Sequence, residues 1–481
     1  MADFSIGSAD FIKKFIGNIG LIVVLNFLIK PVWIVLDNKV QDTIGHADYG
    51  VFAALFSLSF LFATLSDFGI NQYVTKKLAG EPDKMEEVFP VAFGFKLLLL
   101  VLYPLLMTVV GYAMGYGMQE LYFLWLLSIF QAAVQLVMFF RANFQAHQKF
   151  FIDSFASILD KFLLIIFLIV VFYIHVSVES FIYARVLSIT ATLVLVFVFY
   201  IATFHWHGPS LNTEKLFPLI RQSLPFAMVT VLYSFNERVD QVMIERLLGG
   251  TESGLYAGAY RWLDAVMMYL WIVLPMFFAR FAFLKSDPAA LYKTFKIGHV
   301  IAFLPMAMVC GFVFLYPEKL FVLFVHSSAE EIEVMSNVLR ILFIASLMHG
   351  MFAIYSTLLT STGYEKQTSI LILVSVLINI VLNFILVPIY GIYASAWATV
   401  LATVFLSAGY IVYIKRNNIV KIPVTTILKL SLAFVLFMVV YYGLTFTSLP
   451  WYINTGIAGI FLLGLTWLLG LLHFKEPITE S

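Results

Sequence analysis

Long apolar stretches of about 20 residues recur along the chain between short polar breaks, the spacing expected of helices that cross a bilayer. They fall at residues 15–36, 48–69, 88–111, 119–140, 152–174, 179–203 and 217–244. They continue at 254–279, 297–316, 335–358, 368–388, 391–414, 424–445 and 451–473. The pattern predicts an all-α polytopic membrane protein with about 14 transmembrane helices. Lys13 and Lys14 ahead of an apolar run superficially resemble a signal peptide. No small-residue cleavage site closes that run, so it reads as an uncleaved first span.

Lys and Arg then set the orientation. Nineteen lie on the side of the N-terminus, three (Lys39, Arg246, Lys319) on the opposite side, and seven inside spans. The positive-inside rule therefore places both termini in the cytoplasm. No break exceeds about 20 residues, which leaves no room for a catalytic domain outside the bilayer or a cytoplasmic ATPase.

Composition agrees. Apolar residues make up 62% of the 481 positions and charged residues 12%, with a mean hydropathy of +0.96. A soluble globular chain carries about 25% charged residues, so a cytosolic enzyme is excluded. Nucleic-acid binding is excluded too, because 29 Lys+Arg against 28 Asp+Glu leave no basic excess. The single Cys310 lies in an apolar run and reads as a small core hydrophobe. The sequence holds no G-x-x-x-x-G-K-[ST], H-E-x-x-H, G-x-S-x-G or D-x-D. Its nine His are scattered, and the one close pair, His205 and His207, reads as solvated. No catalytic residue and no metal site is expected.

An internal repeat is visible. Gly50-Val51-Phe52-Ala53 opens one span, and Gly254-Leu255-Tyr256-Ala257 opens another 204 residues later. The same offset relates Phe56 to Tyr260, Lys76 to Arg280 and Asp83 to Asp287. Ile182-Tyr183-Ala184 and Gly391-Ile392-Tyr393-Ala394 open two further spans in a related way. The repeat predicts two six-helix lobes, 1–210 and 211–418, in parallel topology, with two appended spans in 419–481.

Ionisable groups inside spans carry the chemical information, because each costs about 2.5–3.5 kcal/mol at a helix centre. The basic set is Lys30, Lys96, Lys161, Arg185, Arg238, Arg261 and Arg340, and the candidate acidic partners are Asp160, Glu237, Asp240 and Asp264. Arg185 and Arg340 lie near the outer edge and are expected to snorkel to it. Lys30, Lys161, Arg238 and Arg261 are the candidates for a water-filled cationic cavity. Such a cavity suits an anion, since Arg offers paired donors to phosphate and Lys a point charge. Asp160, Asp240 and Asp264 are the candidate counter-charges. Arg261 and Asp264 stand i, i+3 on one helix, whereas Asp240, two residues from Arg238, looks elsewhere. Two readings stay open: the pairs merely neutralise one another, or they form a proton- or cation-sensitive switch. Tyr256, Tyr260 and Trp262 fit an interfacial aromatic belt, with sugar stacking beside Arg261 as the second reading. Pro104, Pro225, Pro275, Pro305 and Pro388 permit kinks, and bending at Pro225 and Pro275 would open a cavity.

Three stretches carry a resemblance. They are Asp67-Phe68-Gly69-Ile70 with Lys76-Lys77-Leu78-Ala79, the run Asn236-Glu237-Arg238-Val239-Asp240 leading into Gly254 to Arg261, and Asn379 to Asn383 with Pro388 to Ala396. Together they resemble polysaccharide-biosynthesis flippases of the multidrug/oligosaccharidyl-lipid/polysaccharide exporter superfamily, over essentially the whole chain. The resemblance implies translocation of an undecaprenyl-diphosphate-linked oligosaccharide, an O-antigen or other surface-polysaccharide repeat unit, to the outer leaflet of a bacterial inner membrane. Alternating access between the lobes would move it, with cationic residues lining the cavity. Arg238 and Asp240 match the family pattern; Lys30, Lys161 and Arg261 follow from charge and depth. The implied partners are the lipid-linked substrate, the bilayer and glycan polymerases or glycosyltransferases. No cofactor is implied, and coupling to a proton, to sodium or to the membrane potential stays open. A cation-coupled multidrug or metabolite antiporter of the same superfamily is the alternative. A polymerase and a non-transporting scaffold are weaker rivals.

Overall fold

The computed structural model describes residue 29 and residues 31–206 and 208–472. Helix α1 (31–44) is followed by α2 (His46–Asp67), α3 (Ile70–Gly80), α4 (Met85–Ala113), α5 (Met118–Ala146), α6 (Phe150–Ile174) and α7 (Val178–Thr203). Then come α8 (Thr213–Leu248), α9 (Gly250–Phe283), α10 (Pro288–Leu315) and α11 (Ala329–Ser361). The last four are α12 (Glu365–Tyr390), α13 (Ile392–Arg416), α14 (Val424–Leu444) and α15 (Trp451–Leu468). Every apolar window from 48–69 onward coincides with one of these helices. Among the described residues 12 helices are long and apolar enough to span a bilayer, and α8, bent by 45° between Leu224 and Phe226, makes a thirteenth. The bend falls at residue 225, where the sequence places a helix-breaking proline. The first window lies mostly outside the described residues. The protein is thus an all-α polytopic membrane protein.

The sequence pattern passed over α3. Phe68 (φ 50°) and Gly69 (φ 72°) both sit in the left-handed region and end α2 abruptly. Ile70, Val74 and Leu78 then recur at helical spacing and are buried, while Lys76 stays exposed. This helix is too short and polar to register as a span. Its end is tied by Lys77 Nζ to Glu81 at 2.8 Å and by Lys84 to the same carboxylate. Those two ammonium groups hold the Glu81 carboxyl down at about 2.

Polar caps start several helices. Asn212 Oδ1 accepts from the backbone of Glu214 and Lys215 at 3.0 and 3.3 Å, and Asp287 Oδ1 from Ala289 and Ala290. Ser328 and Glu331 form a reciprocal box. Proline inside α10 is accommodated in a specific way. Pro305 lacks an N–H, which frees the carbonyl four residues earlier, and Tyr269 Oη donates to that Ile301 oxygen at 2.8 Å.

Packing divides the described chain into two units. The first runs to Glu245 and takes in Gly249–Gly254; the second comprises Arg246–Leu248 and everything from Leu255. The sequence repeat divides lobes at 210/211, yet α8 packs with the first unit. The position of a Cβ on Gly69 lies 2.4 Å from the Ser223 carbonyl, so only glycine lets the two backbones meet. The first unit's core is aromatic, with Phe89, Phe93, Phe139, Phe140 and Tyr200 in mutual ring contact. In the second unit α14 and α15 pack on α10 through Phe303, Phe437, Tyr441 and Leu462. Asn454 clips that hairpin, donating to the carbonyls of Leu444 (3.0 Å) and Leu449 (3.3 Å) and to Tyr316 Oη (3.2 Å).

The repeat reappears in the helices. α2 begins at His46 and α9 at Gly250, and 3-10 turns at Pro82–Lys84 and Leu284–Ser286 precede α4 and α10. The motif glycines themselves meet. A Cβ on Gly50 would lie 1.8 Å from the Gly250 carbonyl oxygen, and one on Gly254 would lie 1.9 Å from that of His46. Overpacking of this kind costs about 1–3 kcal/mol. Gly50→Ala should therefore lower the melting temperature of the detergent-purified protein. Gly464→Ala, where nothing lies within 4 Å, should leave it unchanged or raise it.

Candidate functional site

Nine side chains from four helices of the first unit form a continuous polar and aromatic chain. Arg185 on α7 is 4% exposed and donates through Nη2 to Asp37 Oδ1 on α1 at 3.0 Å. Tyr49 Oη on α2 donates to the other Asp37 oxygen at 2.8 Å. The guanidinium carbon lies 4.5 Å from the Phe181 ring centre, with Phe52 and Phe56 at 5.2 and 5.1 Å and Trp33 at 6.0 Å. Trp33 faces a second cation, Lys161 Nζ on α6, at 5.6 Å. Lys161 in turn donates to its neighbour Asp160 at 2.8 Å. The rings use their negative faces to stabilise cations that a bilayer would otherwise expel.

The two cations differ in access. Arg185 does not snorkel, contrary to the expectation from its depth. Asp37 lies just past the first apolar window, and it gives the guanidinium a better partner than headgroup water. The Lys161 side chain keeps 31% of its surface exposed and that of Asp160 25%. Trp33 Nε1 beside Lys161 is buried and makes no hydrogen bond among the described residues. The half-exposed end of the chain thus presents an ammonium group beside an indole ring whose N–H lies buried and unused. That set suits an anionic oxygen next to a planar or sugar face.

The remaining predicted site residues fall in different places. Arg238 on α8 is half-buried, its guanidinium carbon 5.9 Å from the Phe60 ring centre. Asp240 and Arg261 are buried, and Asp264 is half-buried. Lys30 lies outside the described residues. Arg340 is half-buried and donates to the Phe314 carbonyl and to Asn337 Oδ1, at 3.2 and 2.7 Å. Tyr256 is fully buried, so it is no part of an interfacial belt; its ring lies tilted against that of Tyr260, centres 5.7 Å apart.

Sequence reasoning missed two partnerships. Asp37 falls one residue beyond the first apolar window, so the sequence pattern hides the partner of Arg185. Lys96, fully buried on α4, donates to Asp67 Oδ1 at 2.5 Å, and Asp67 belongs to the Asp67-Phe68-Gly69 motif. A base within one apolar window and an acid near the end of the window before it were the available signal. A polar clamp also surrounds the glycine crossing. Gln41 Nε2 donates to the Gly254 carbonyl at 2.7 Å, Ser253 Oγ to that of Gly50 at 3.0 Å, and Gln241 Nε2 to the Ser253 carbonyl at 2.8 Å. Tyr116 Oη donates to Glu245 at 2.8 Å.

A cavity of about 390 Å³ opens elsewhere, beside Asp83, Glu86, Thr203 and His205. Its carboxylates make it unsuited to an anion. Cys310 is buried, with Sγ 3.5 Å from the Phe343 carbonyl, as a core residue should be.

Known proteins resemble this chain in sequence and in fold. The sequence pattern of the family described as polysaccharide biosynthesis protein matches residues 13–278, and that of MatE matches 225–385. An uncharacterized membrane protein of Methanocaldococcus jannaschii is 28% identical over 186 residues, 39% of this chain and 43% of that protein. A probable multidrug resistance protein of Bacillus subtilis is 36% identical over 93 residues, 18% of this chain and 20% of that one. The matches thus span less than half the length of either relative. Among solved structures, the lipid II flippase MurJ in an inward closed conformation superposes with a TM-score of 0.77. It shares 16% identity, over 93% of this chain and 98% of that one. An inward-facing multidrug resistance MATE family transporter of the MOP superfamily gives 0.65 at 14% identity, over 83% and 98%. The fold is that of MOP-superfamily flippases and transporters.

Removing one partner of a buried ion pair costs about 3–5 kcal/mol, because a charge is left unanswered. Asp37→Asn should therefore destabilise the purified protein strongly, whereas Asp37→Leu combined with Arg185→Met should recover most of the loss. Thermal melting in one detergent checks both. Equal losses in the single and the double variant would show that Asp37 acts other than through Arg185.

Proposed function

The chain belongs to the polysaccharide biosynthesis protein family, and from that premise we propose that it flips a lipid-linked oligosaccharide across the membrane. The substrate is an undecaprenyl-diphosphate-linked repeat unit of a surface polysaccharide such as O-antigen, moved from the cytoplasmic to the outer leaflet of a bacterial inner membrane. Both termini lie in the cytoplasm. The observation that carries the reading is Lys161: an ammonium group within a membrane helix, half-exposed, beside the Trp33 ring and its unused N–H. A diphosphate gains from the charge, and a sugar from the ring.

The physical problem is a hydrophilic glycan on a long apolar tail. The glycan crosses within the protein while the tail stays in lipid, so the carrier opens laterally between its halves. Arg238, Arg261 and Lys30 add positive charge along the route, and Asp160, Asp240 and Asp264 balance it when substrate is absent. The two lobes, 1–210 and 211–418, alternate between inward and outward access, with 419–481 as an appendage. Proton, sodium or membrane potential drives the cycle without a bound cofactor. Glycan polymerases and glycosyltransferases are the proteins it hands to and receives from.

The second reading is a cation-coupled multidrug or metabolite antiporter, favoured by the MatE match over residues 225–385. The half-exposed Lys161 beside the Trp33 ring favours the flippase, since an ammonium group suits an anionic substrate better than a cationic one.

Lys161→Glu and Arg238→Glu should each lose most transport while inserting normally in the membrane. In a deletion strain carrying either variant, lipid-linked oligosaccharide should accumulate on the cytoplasmic leaflet and surface glycan should fall. Wild-type glycan levels in both variants would remove the cationic route. Normal glycan in the deletion strain, with altered sensitivity to organic cations, would favour the antiporter.

A further inference from the structure

We infer that His299 and Tyr355 form a proton-binding site of the transport cycle, held between α10 and α11 in the second unit. The inference rests on the transporter reading above and adds a coupling ion with a place to bind it. Both side chains are fully buried, and their rings stand edge to face at 5.0 Å. His299 Nδ1 lies 2.7 Å from the Phe295 carbonyl. A carbonyl can only accept, so Nδ1 carries the hydrogen and Nε2 presents a lone pair. That Nε2 has no hydrogen-bond partner among the described residues, and neither has Tyr355 Oη. An orphaned acceptor and an orphaned hydroxyl thus belong to two buried rings in direct contact. Unsatisfied polar atoms in apolar surroundings are rare because they are costly, and they call for an account.

The surroundings narrow the ligand. The Phe295 ring lies 4.5 Å from the imidazole and 4.9 Å from the Tyr355 ring, and Phe352 lies 5.6 Å from Tyr355. From α9, Phe281 packs on Phe295. Gly298 brings α10 so close to α11 that a Cβ would lie 2.8 Å from the Ile354 side chain. Tyr355 is the titratable group in ring contact with His299. Along the same helices the nearest others are Lys296, one turn away and exposed, and His349, six residues before Tyr355 on α11. No carboxylate is among these contacts, so a metal cation would find too few ligands. A proton needs one lone pair.

The step balances simply. Hydronium gives its proton to Nε2, an N–H bond forms, and water is left; a shift of the seam then lets Tyr355 Oη accept from the new N–H. An imidazolium without a counter-charge does not persist between phenyl rings. It requires the α10–α11 seam to loosen and admit water. Proton occupancy and helix packing are thereby linked, as coupling demands.

The test uses the purified full chain in proteoliposomes with a fluorescent short-chain polyprenyl-diphosphate disaccharide as probe. Wild-type flipping should respond to an imposed pH gradient, and His299→Gln should lose that response while staying folded by thermal melting. Tyr355→Phe keeps both rings and should shift the pH midpoint. Independently, NMR of histidine-labelled protein should show a titrating resonance that His299→Gln removes and Tyr355→Phe displaces. An unchanged gradient response in His299→Gln, or a His299 resonance that stays fixed between about pH 4 and 9, overturns the site. A wild-type protein that moves no probe under any gradient overturns the flippase reading instead, and the resonance still decides the site.

Discussion

A charge inside a bilayer has to be answered by the protein, because the solvent offers nothing in return. That constraint organises the first unit. Asp37 answers Arg185, Asp67 answers Lys96 and Asp160 answers Lys161. Two of these pairs join different helices, so each also fixes how two helices lie against one another. Aromatic faces complete the shells where a second carboxylate would leave excess negative charge. The Arg185 guanidinium, with four rings within about 6 Å, shows how far that substitution can go.

The same constraint separates structural from functional charge. Arg185 and Lys96 are sealed and matched, and their exposure leaves no surface for a ligand. Lys161 is matched too, but by a neighbour on its own helix that fixes no second element. Its remaining surface is open. The Trp33 ring lies within about 6 Å of both the closed cation and the open one. A cation half-committed to a carboxylate can exchange it for a phosphate at little net cost.

Much of this fold could be read in the sequence because membrane helices announce themselves by length and hydropathy alone. Every window from 48–69 onward became a helix, since a lipid solvent leaves the backbone no other way to satisfy itself. The bases at Lys96, Lys161 and Arg185 stood out for the same reason. Their partners did not. Asp37 sits one residue past an apolar window, and a boundary good to a few residues cannot decide whether such a group is wet or dry. Helix α3 was invisible because its three buried positions in 11 residues belong to a globular pattern, not a membrane one. The orphaned atoms of His299 and Tyr355 depend on which rotamers face each other across a seam, a matter no periodicity reports.

The glycines of the two matching motifs constrain each other. Gly50 and Gly254 stand 204 residues apart in sequence, and in the folded protein each abuts the backbone around the other's helix start. A Cβ on either one is met by a carbonyl oxygen, so neither position takes a larger residue unless the opposite backbone gives way. The third motif position is under no such constraint, with Phe52 in one motif and Tyr256 in the other. The two helix starts therefore tolerate change only as a pair.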